Sequence, residues 1–325
     1  MNSKDTLNSP KEQTKSINEM FKGLKCDFFI QRIFALFARK KLLELINYNK
    51  QLQKMMNINI NDYKIYHEMF TSIELEIEPN KQGIHGEFIR IKDEDKKYYH
   101  IYFNNNKKEE IKRYELNKDD DDIVSKINVI IDHQVTSFSE LFRISTCTSI
   151  KFKKFYRINI TDMNYMFYST CFLKELDLTN FKTDNVTDMS YMFCGCPVTE
   201  LNLTKFKTDK VTNMKCMFSG CGQLKELNVT NFNTNNVIDM SAMFCGCKSL
   251  KQLNLANFNT NNVKEMYNMF IGCKSLKELN LDNFSTNNFT YMANMFSGCT
   301  DELKLKIKNK YPNFKNNAYV EYNYN

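Results

Sequence analysis

The sequence predicts a repeat solenoid, mainly β, with turns of 25–26 residues and an α+β region ahead of it. The first observation is a Met-Phe pair that recurs at spacings of 26, 25, 26, 26 and 26 residues. The second is a Leu-x-Leu triplet in each copy, such as Leu253-Asn-Leu255, whose alternation is typical of a strand. A third is that apolar residues fall at the same positions in every copy. One copy cannot bury its apolar face alone, so neighbouring copies must stack. The phenylalanines of the pairs are Phe167, Phe193, Phe218, Phe244, Phe270 and Phe296.

The repeat divides the chain into five parts. The solenoid with its caps is expected at residues 126–310, after a β-rich region and linker at 67–125. Residues 16–66 are expected to form a helical region. The chain ends, residues 1–15 and 311–325, are polar and are expected to be a disordered tail and a polar tail.

Both ends of the array are expected to carry caps, because an open solenoid end exposes an apolar slice and strand edges. Val135–Phe142 aligns with Ile160–Phe167 at a shift of 25, so a first copy precedes the clear ones. Ile127–Ile131 is expected to supply the first rung or the N-terminal cap. At the other end, apolar and charged residues alternate in Leu303–Ile307, which predicts a capping strand.

Methionine and cysteine are interpreted as the interior of the array. Twelve of the 17 methionines recur at two positions, starting at Met163 and Met166, among apolar neighbours. A cysteine follows each Met-Phe pair by three or four residues, and a buried, reduced column is favoured over disulfides. No Cys-x-x-Cys spacing occurs and all four histidines precede the array, so no metal or cofactor is predicted. The cysteines of the column are Cys171, Cys196, Cys221, Cys247, Cys273 and Cys299.

Polar residues recur at the bends. A threonine near each bend is expected to hydrogen-bond the backbone of its own turn or of the next one. Asparagines beside it are expected to satisfy backbone groups of the bends. The threonines are Thr183, Thr208, Thr234, Thr260 and Thr286, and the asparagines are Asn231, Asn257, Asn283, Asn236, Asn262 and Asn288.

The copies resemble the BspA-type leucine-rich repeats, also described as DUF285 surface-protein repeats. The repeat motif of the family is similar to V-T-x-M-x-x-M-F-x-G-C-x-S-L-x-x-L-x-L-x-x-F-x-T. Val237–Phe258 and Val263–Phe284 match it at nearly every position. The resemblance covers about half of the chain. It implies a right-handed, leucine-rich-repeat-like solenoid of short strands. Bacterial relatives are often exported adhesins, but this chain departs from them in having no export signal and a non-repeat N-terminal region.

The N-terminal region is expected to combine helices and strands. Helices are predicted at 28–38, capped by Asp27, and from Lys40 to about Met56. This pair faintly resembles the F-box fold, although the leucine-proline opening is missing; a helical cap that packs on the rest of the chain is the preferred interpretation, and an F-box-like role is the alternative. Strands are predicted at 73–77, 88–91, 98–103 and 111–116, and the acidic run Asp119–Asp122 is interpreted as a solvated linker.

Charge and hydropathy narrow the class of protein. The formal net charge is +7, but lysines are interleaved with acidic residues, so nucleic-acid binding is not favoured. No run of 18 apolar residues predicts a membrane span, and no signal peptide is recognised. The protein is therefore expected to be intracellular, and cytoplasmic. No nucleophile–base pair, phosphate loop or metal set stands out, so no enzyme and no small-molecule substrate are predicted.

Three function classes follow, with a protein as the expected partner. The preferred class is a non-enzymatic binding scaffold that presents exposed faces of the solenoid. The alternatives are a ubiquitin-ligase substrate receptor, through the F-box-like helices, and a cell-surface adhesin. The candidate contact residues form an outward column with its charged neighbours; a merely solvated sheet face is the competing interpretation. They are Asp177, Asn202, Lys225, Glu226, Asn228, Lys251, Asn254, Lys277, Glu278 and Asn280.

Overall fold

In a computed structural model, the chain divides into two compact units, residues 1–70 and Thr71–Asn325. The structure describes residues 71–321 except for 82–83, 107–110, 121–122, 157 and 286–290. The helices predicted at 28–38 and 40–56 lie outside the described residues. None of the described helices is long and apolar enough to cross a membrane.

The described part is mainly sheet with few helices. Besides α1 (Asp301–Lys310), it has short 3-10 helices at Asp93–Tyr98, Lys118–Asp120 and Asn316–Tyr319. The strands are β1 (Ile73–Pro79), β2 (Gly86–Glu87), β3 (Tyr99–Phe103), β4 (Glu115–Leu116), β5 (Ile127–Ile131), β6 (Cys147–Lys154), β7 (Glu175–Asp177), β8 (Gln252–Asn254) and β9 (Glu278–Asn280).

The β-rich region and the first copies of the repeat share one five-stranded sheet, in the order β3-β5-β1-β6-β7. β1 pairs antiparallel with both β5 and β6, whereas β6 and β7 pair in parallel. The boundary expected at residues 125/126 therefore falls inside one compact unit. β5 was expected to supply the first rung or cap; it lies in this sheet, but β1 is the direct neighbour of β6.

The strand β1 confirms the predicted alternation, with one exception. Ile73, Leu75 and Ile77 are buried, as a half-buried strand requires. Glu76, expected to point to solvent, is only 6% exposed, and its carboxylate lies 3.0 Å from Lys126 Nζ and 2.5 Å from Lys153 Nζ. Burial raises the pKa of Glu76, but the two ammonium groups together outweigh burial and lower it. A buried carboxylate is tolerated here because it is paired.

Two other N-terminal expectations are corrected. The strand predicted at 88–91 is not formed: Phe88 and Ile89 are buried, but the pairing residues are those of β2. The acidic run is not a solvated linker throughout, because Asp120 is 6% exposed and accepts a hydrogen bond from Arg113 Nη1 at 2.6 Å. That hydrogen bond is the main cause of the lowered pKa of Asp120.

Consecutive copies of the repeat stack in register. Single parallel bridges join Ser137 to Asp162 and continue at one bridge per copy as far as Tyr291. The Met-Phe phenylalanine rings lie 5.6–5.7 Å apart from Phe142 to Phe296 and are within 7° of parallel. The twelve recurring methionines are at most 1% exposed, so their interpretation as core is confirmed. One continuous core results, to which each copy contributes the same side chains.

The polar residues at the bends join each copy to the next. Thr208 Oγ1 donates to the backbone oxygen of Asn233 at 2.8 Å and accepts from its nitrogen at 2.7 Å. Thr183 does the same with Lys207. Asn231 Nδ2 donates to the carbonyl oxygens of Leu203 and Phe206 in the preceding copy. Of the two alternatives, the bond to the next copy is therefore the one that the described threonines form, whereas Thr286 and Asn288 lie outside the described residues.

The cysteine column is confirmed except at its first member. Cys196, Cys221, Cys247 and Cys273 are fully buried free thiols, and Cys299 is 5% exposed. From Cys221 onwards, each thiol of the column donates a hydrogen bond to the phenylalanine carbonyl oxygen of the preceding copy, as Cys247 Sγ does to Phe218 at 3.2 Å. Cys171 is exposed instead, because Thr170 occupies the column position and donates to the Phe167 carbonyl at 3.0 Å.

The C-terminal cap is a helix, and the predicted capping strand is wrong. Thr300 caps α1 by accepting a hydrogen bond from the nitrogen of Leu303. Leu303 and Ile307, four residues apart, share the buried helix face, while Leu305 is 60% exposed. The expected polar tail also packs in part, since Phe314 and Ala318 beyond the helix are buried.

Candidate functional site

The sequence-predicted contact residues lie together on exposed parts of consecutive copies, which we call the strand face. Asn202, Asn228 and Asn254 are exposed, and Asp177 and Asn280 are half-buried. The charged neighbours are all exposed: Lys225, Glu226, Lys251, Lys277 and Glu278. The structure therefore brings the whole predicted set to the surface in repeating order.

The polar column of the strand face has a structural role. Its five Oδ1 atoms, those of Asp177, Asn202, Asn228, Asn254 and Asn280, each accept a hydrogen bond from the backbone nitrogen two residues on, at 3.0–3.2 Å. Such Asx turns redirect the chain after a strand. The recurrence of these residues is accounted for by turn formation, and only the exposed charges remain without a structural role.

A second surface, which we call the tyrosine patch, comprises Arg143, Ile144, Tyr165, Tyr168 and Tyr191. Tyr165 and Tyr191 occupy equivalent positions of adjacent copies, and their rings stack at 4.4 Å with an interplanar angle of 6°. Tyr168 lies 5.3 Å from Tyr165, measured between ring centroids. All three rings are half-buried, so they are held firmly while part of each remains accessible.

Arg143 extends the patch at its N-terminal side. Its guanidinium carbon lies 5.7 Å from the ring centroids of both Tyr165 and Tyr168, within cation–π distance. Arg143 Nη1 donates to Glu140 Oε2 at 2.9 Å, and this bond is the main cause of the lowered pKa of Glu140. Arg90 also contacts Glu140, at 3.4 Å. The arginine is thereby fixed against the rings and keeps its charge.

Ile144 is strained as well as exposed. It is 54% exposed and has a φ of 57°; the equivalent residue of the next copy, Ser169, has a φ of 52°, and those from Gly195 onwards are glycines. A left-handed conformation costs an L-residue about 1–2 kcal/mol, and a β-branched residue there is an outlier. Stability alone does not explain an exposed apolar side chain in this position, and strained residues are enriched at functional sites.

The sequence reasoning missed the tyrosine patch because it looked for recurring columns. The tyrosines do not recur through the array: Cys216, Ala242 and Asn268 follow Tyr191 at the equivalent positions. The available signal was the spacing of 26 between Tyr165 and Tyr191, which equals the repeat and places one ring above the other.

Thiols beside the patch have little reactivity. Burial raises the pKa of Cys194 to about 11 and raises the pKa of Cys216 as well. Thiolates are the reactive form of cysteine, so neither residue is primed as a nucleophile. Within the ranges that the structure describes, no group of three or more His, Cys, Asp or Glu side chains is placed to hold a metal ion.

Comparisons with known proteins give one match. The family model described as "Mycoplasma protein of unknown function, DUF285" matches residues 136–227 and 223–320, which together are more than half of the chain. No curated protein and no solved structure matches significantly. The matched residues are those that form the stacked copies, the recurring core and the C-terminal cap. This chain therefore belongs to the DUF285 family.

Proposed function

We propose that this protein is a non-enzymatic scaffold, a leucine-rich-repeat-like solenoid that holds a protein partner against the tyrosine patch. The observation that carries the proposal is that the recurring residues and the patch residues have different roles. The residues that recur build the core and the turns, whereas the patch is only partly buried, does not recur beyond Tyr191 and retains a strained Ile144.

The composition of the patch supports a protein partner. Tyrosine and arginine are enriched among the residues that dominate binding energy at protein interfaces. Stacked, half-buried rings lose little side-chain entropy on binding, because their rotamers are already fixed. The charges of the strand face, such as Lys251 and Glu278, are exposed and are expected to affect the rate of association more than the affinity.

The substitution Ile144→Asn tests this proposal without weakening the fold. Asparagine tolerates positive φ better than isoleucine does, so the free energy of unfolding is expected to stay equal or rise by up to about 1 kcal/mol. Ile238→Asn is the matched control, because Ile238 is 44% exposed in a later copy, away from the patch.

The experiment is quantitative co-purification of the tagged, full-length protein from the cells that produce it. We expect a discrete protein partner whose recovery falls at least about fivefold with Ile144→Asn and is unchanged with Ile238→Asn. Equal recovery of that partner with both variants, at unchanged stability, contradicts a role for the patch.

The other two classes keep their own tests. The ubiquitin-ligase role depends on the helices predicted at 28–56, which lie outside the described residues, and predicts capture of an adaptor by residues 1–70. The adhesin role predicts labelling of the protein on intact cells. Intracellular location is likewise a proposal, and the same labelling experiment tests it.

A further inference from the structure

The C-terminal cap continues one of the two backbone hydrogen-bond ladders of the array, and no described residue range continues the other as a strand. On the Met-Phe ladder, backbone nitrogens of Asn268 and Phe270 donate to Ala293 and Met295 in the next copy. Where the copies end, Asn294 and Phe296 donate in the same way to Asn317 and Ala318, at 2.8 and 2.9 Å. The cap thus supplies a substitute rung.

The substitute rung is completed by side chains. Tyr319 stacks on Phe296 with 5.2 Å between ring centroids, in the place of the next Met-Phe phenylalanine. Gly298 donates its N–H to Glu321 Oε2 at 2.9 Å, where earlier glycines donate to a backbone carbonyl. The carboxylate of Glu321 is held by Lys304 of α1. This ladder therefore ends without an unpaired edge.

The strand ladder is covered by a described strand from outside the repeats at its N-terminal end alone. There β1, which is not part of a repeat, pairs with β6 and covers the edge. At the C-terminal end, β8 and β9 pair in parallel, with Leu253 opposite Leu279. Lys277 donates to the Lys251 carbonyl and Leu255 donates to the Asn280 carbonyl. No described strand follows β9 in this ladder.

The backbone groups on the outer edge of β9 follow from this register. Because parallel pairing uses alternate residues, the N–H and C=O groups of Leu279 point to the open edge, as those of Leu253 point to β9. One further group, the N–H of Leu281, is taken by the Tyr311 hydroxyl at 3.0 Å. Leu279 is half-buried, whereas Leu253, which has a copy on either side, is 3% exposed.

A cleft of about 550 Å³ lies between this edge and α1. Its apolar lining comes from Leu279, Leu303 and Ile307, and its rim carries Lys277 and Lys306. A cleft of this size is within the usual range for bound ligands, and an unpaired strand edge recognises extended peptides through their backbone.

We propose that this cleft binds an extended, leucine-containing, acidic segment of a protein partner, which pairs in parallel with β9 as one further strand. The leucines are argued from the array itself, where the equivalent strand residues Leu253 and Leu255 are buried. The inference rests on the proposed protein-binding function but concerns a surface separate from the tyrosine patch.

The preference for acidic residues comes from the rim. Three lysines and one glutamate line the cleft: Lys277, Lys306, Lys310 and Glu278. Lys306 also pairs with Glu302 at 2.7 Å and Lys310 with Asp282 at 2.8 Å, so the charge preference is modest. Strand pairing and leucine burial therefore carry most of the binding, and charge selects among otherwise similar segments.

The test uses the full-length protein and a synthetic peptide with the sequence of residues 277–284, in which the single lysine, at the first position, is replaced by glutamate. Affinity is measured by isothermal titration calorimetry. The same peptide, N-methylated at the asparagine that corresponds to Asn280, is the backbone control, because that N–H points towards β9 in this register. Lys306→Trp fills the cleft, and Leu305→Trp on the exposed side of the same helix is the matched protein control.

We expect binding that N-methylation or Lys306→Trp weakens at least about tenfold and that Leu305→Trp leaves unchanged. Binding that is insensitive to N-methylation, or no binding by a folded protein, overturns the proposal. Concentration-dependent self-association that Lys306→Trp abolishes also overturns it, because the occupant is then a second copy of this chain. If no partner depends on Ile144 but the peptide still binds, only the proposal for the tyrosine patch fails.

Discussion

The threonine that joins adjacent copies provides a sharp test of how the array is held together. Thr208 is 1% exposed, and its hydroxyl makes two hydrogen bonds to the backbone of Asn233, at 2.8 and 2.7 Å. Thr208→Val keeps the shape and the β-branched side chain but removes both bonds. The substitution therefore isolates the hydroxyl group.

The expected cost follows from the two bonds. A net contribution of about 1 kcal/mol each, and the partial desolvation of the Asn233 groups left unpaired, give a loss of about 2–3 kcal/mol in the free energy of unfolding. Thr204→Val is the control: the Thr204 hydroxyl, exposed, donates to Asn202 Oδ1 at 2.7 Å, so water replaces the bond and the loss stays below about 0.5 kcal/mol.

Urea unfolding followed by circular dichroism measures both variants, with midpoints compared at a common slope. Repeat arrays do not always unfold in one step, so coincidence of the circular dichroism and tyrosine fluorescence transitions is checked first. A Thr208→Val loss within about 0.5 kcal/mol of the Thr204→Val loss refutes the idea that these hydroxyls hold the copies together.

Three further predictions concern the turns, the thiols and the cap. Gly220→Ala is expected to lower stability more than Gly246→Ala, since both have positive φ but the added Cβ meets backbone at 3.3 Å in the first and 3.7 Å in the second; thermal unfolding measures the difference. Among described cysteines, Cys171 is expected to react first with a thiol reagent in the native protein, and mass spectrometry locates the label. Glu321 has a pKa below its ordinary 4.5, chiefly through Lys304, so its stabilisation of the cap is present above that value and lost as the pH falls through the lowered pKa. Hydrogen exchange at Gly298 should therefore accelerate there relative to its neighbours, and Glu321→Gln should remove the pH effect.

Each of these expectations has a contrary result. Equal losses for the two alanine variants mean that the close backbone approach at Gly220 is relieved at no cost. Fast labelling of the buried column in the native state indicates that the copies open readily. A pH-dependent exchange rate at Gly298 that survives Glu321→Gln assigns the effect to another group.

The periodic part of the molecule was predictable because burial in a stack imposes the same requirement on every copy. The two methionine positions, the phenylalanine pairs and the bend residues such as Thr208 recur in the sequence because each fills an equivalent place. Cys171 shows the limit of this reasoning. It is one residue further from its Met-Phe pair than Cys196 is, and that single step moves it from the core to the surface.

The ends of the array were harder to predict because the period no longer constrains them. Leu303 to Ile307 alternates like a strand, but the spacing of four also places two apolar side chains on one helix face. Thr300 followed by two acidic residues was a helix N-terminal signal that the alternation concealed. β1 likewise does not match the repeat motif, so the sequence held no periodic signal for its pairing with β6.

Of the two candidate surfaces, only the strand face was predicted from the sequence. The strand-face residues do lie on the surface, yet the recurrence that drew attention to Asn228 and Asn254 is explained by their turns. The tyrosine patch does not recur beyond Tyr191, because partly exposed positions outside the core can differ from copy to copy.

The most direct test of the scaffold proposal is the affinity of the purified partner for the wild-type protein and for Ile144→Asn, each with its unfolding midpoint. The account predicts binding at least about tenfold weaker for Ile144→Asn, a difference of about 1.4 kcal/mol, with no loss of stability. Equal affinity of both proteins for the partner would contradict the assignment of the tyrosine patch as the contact surface.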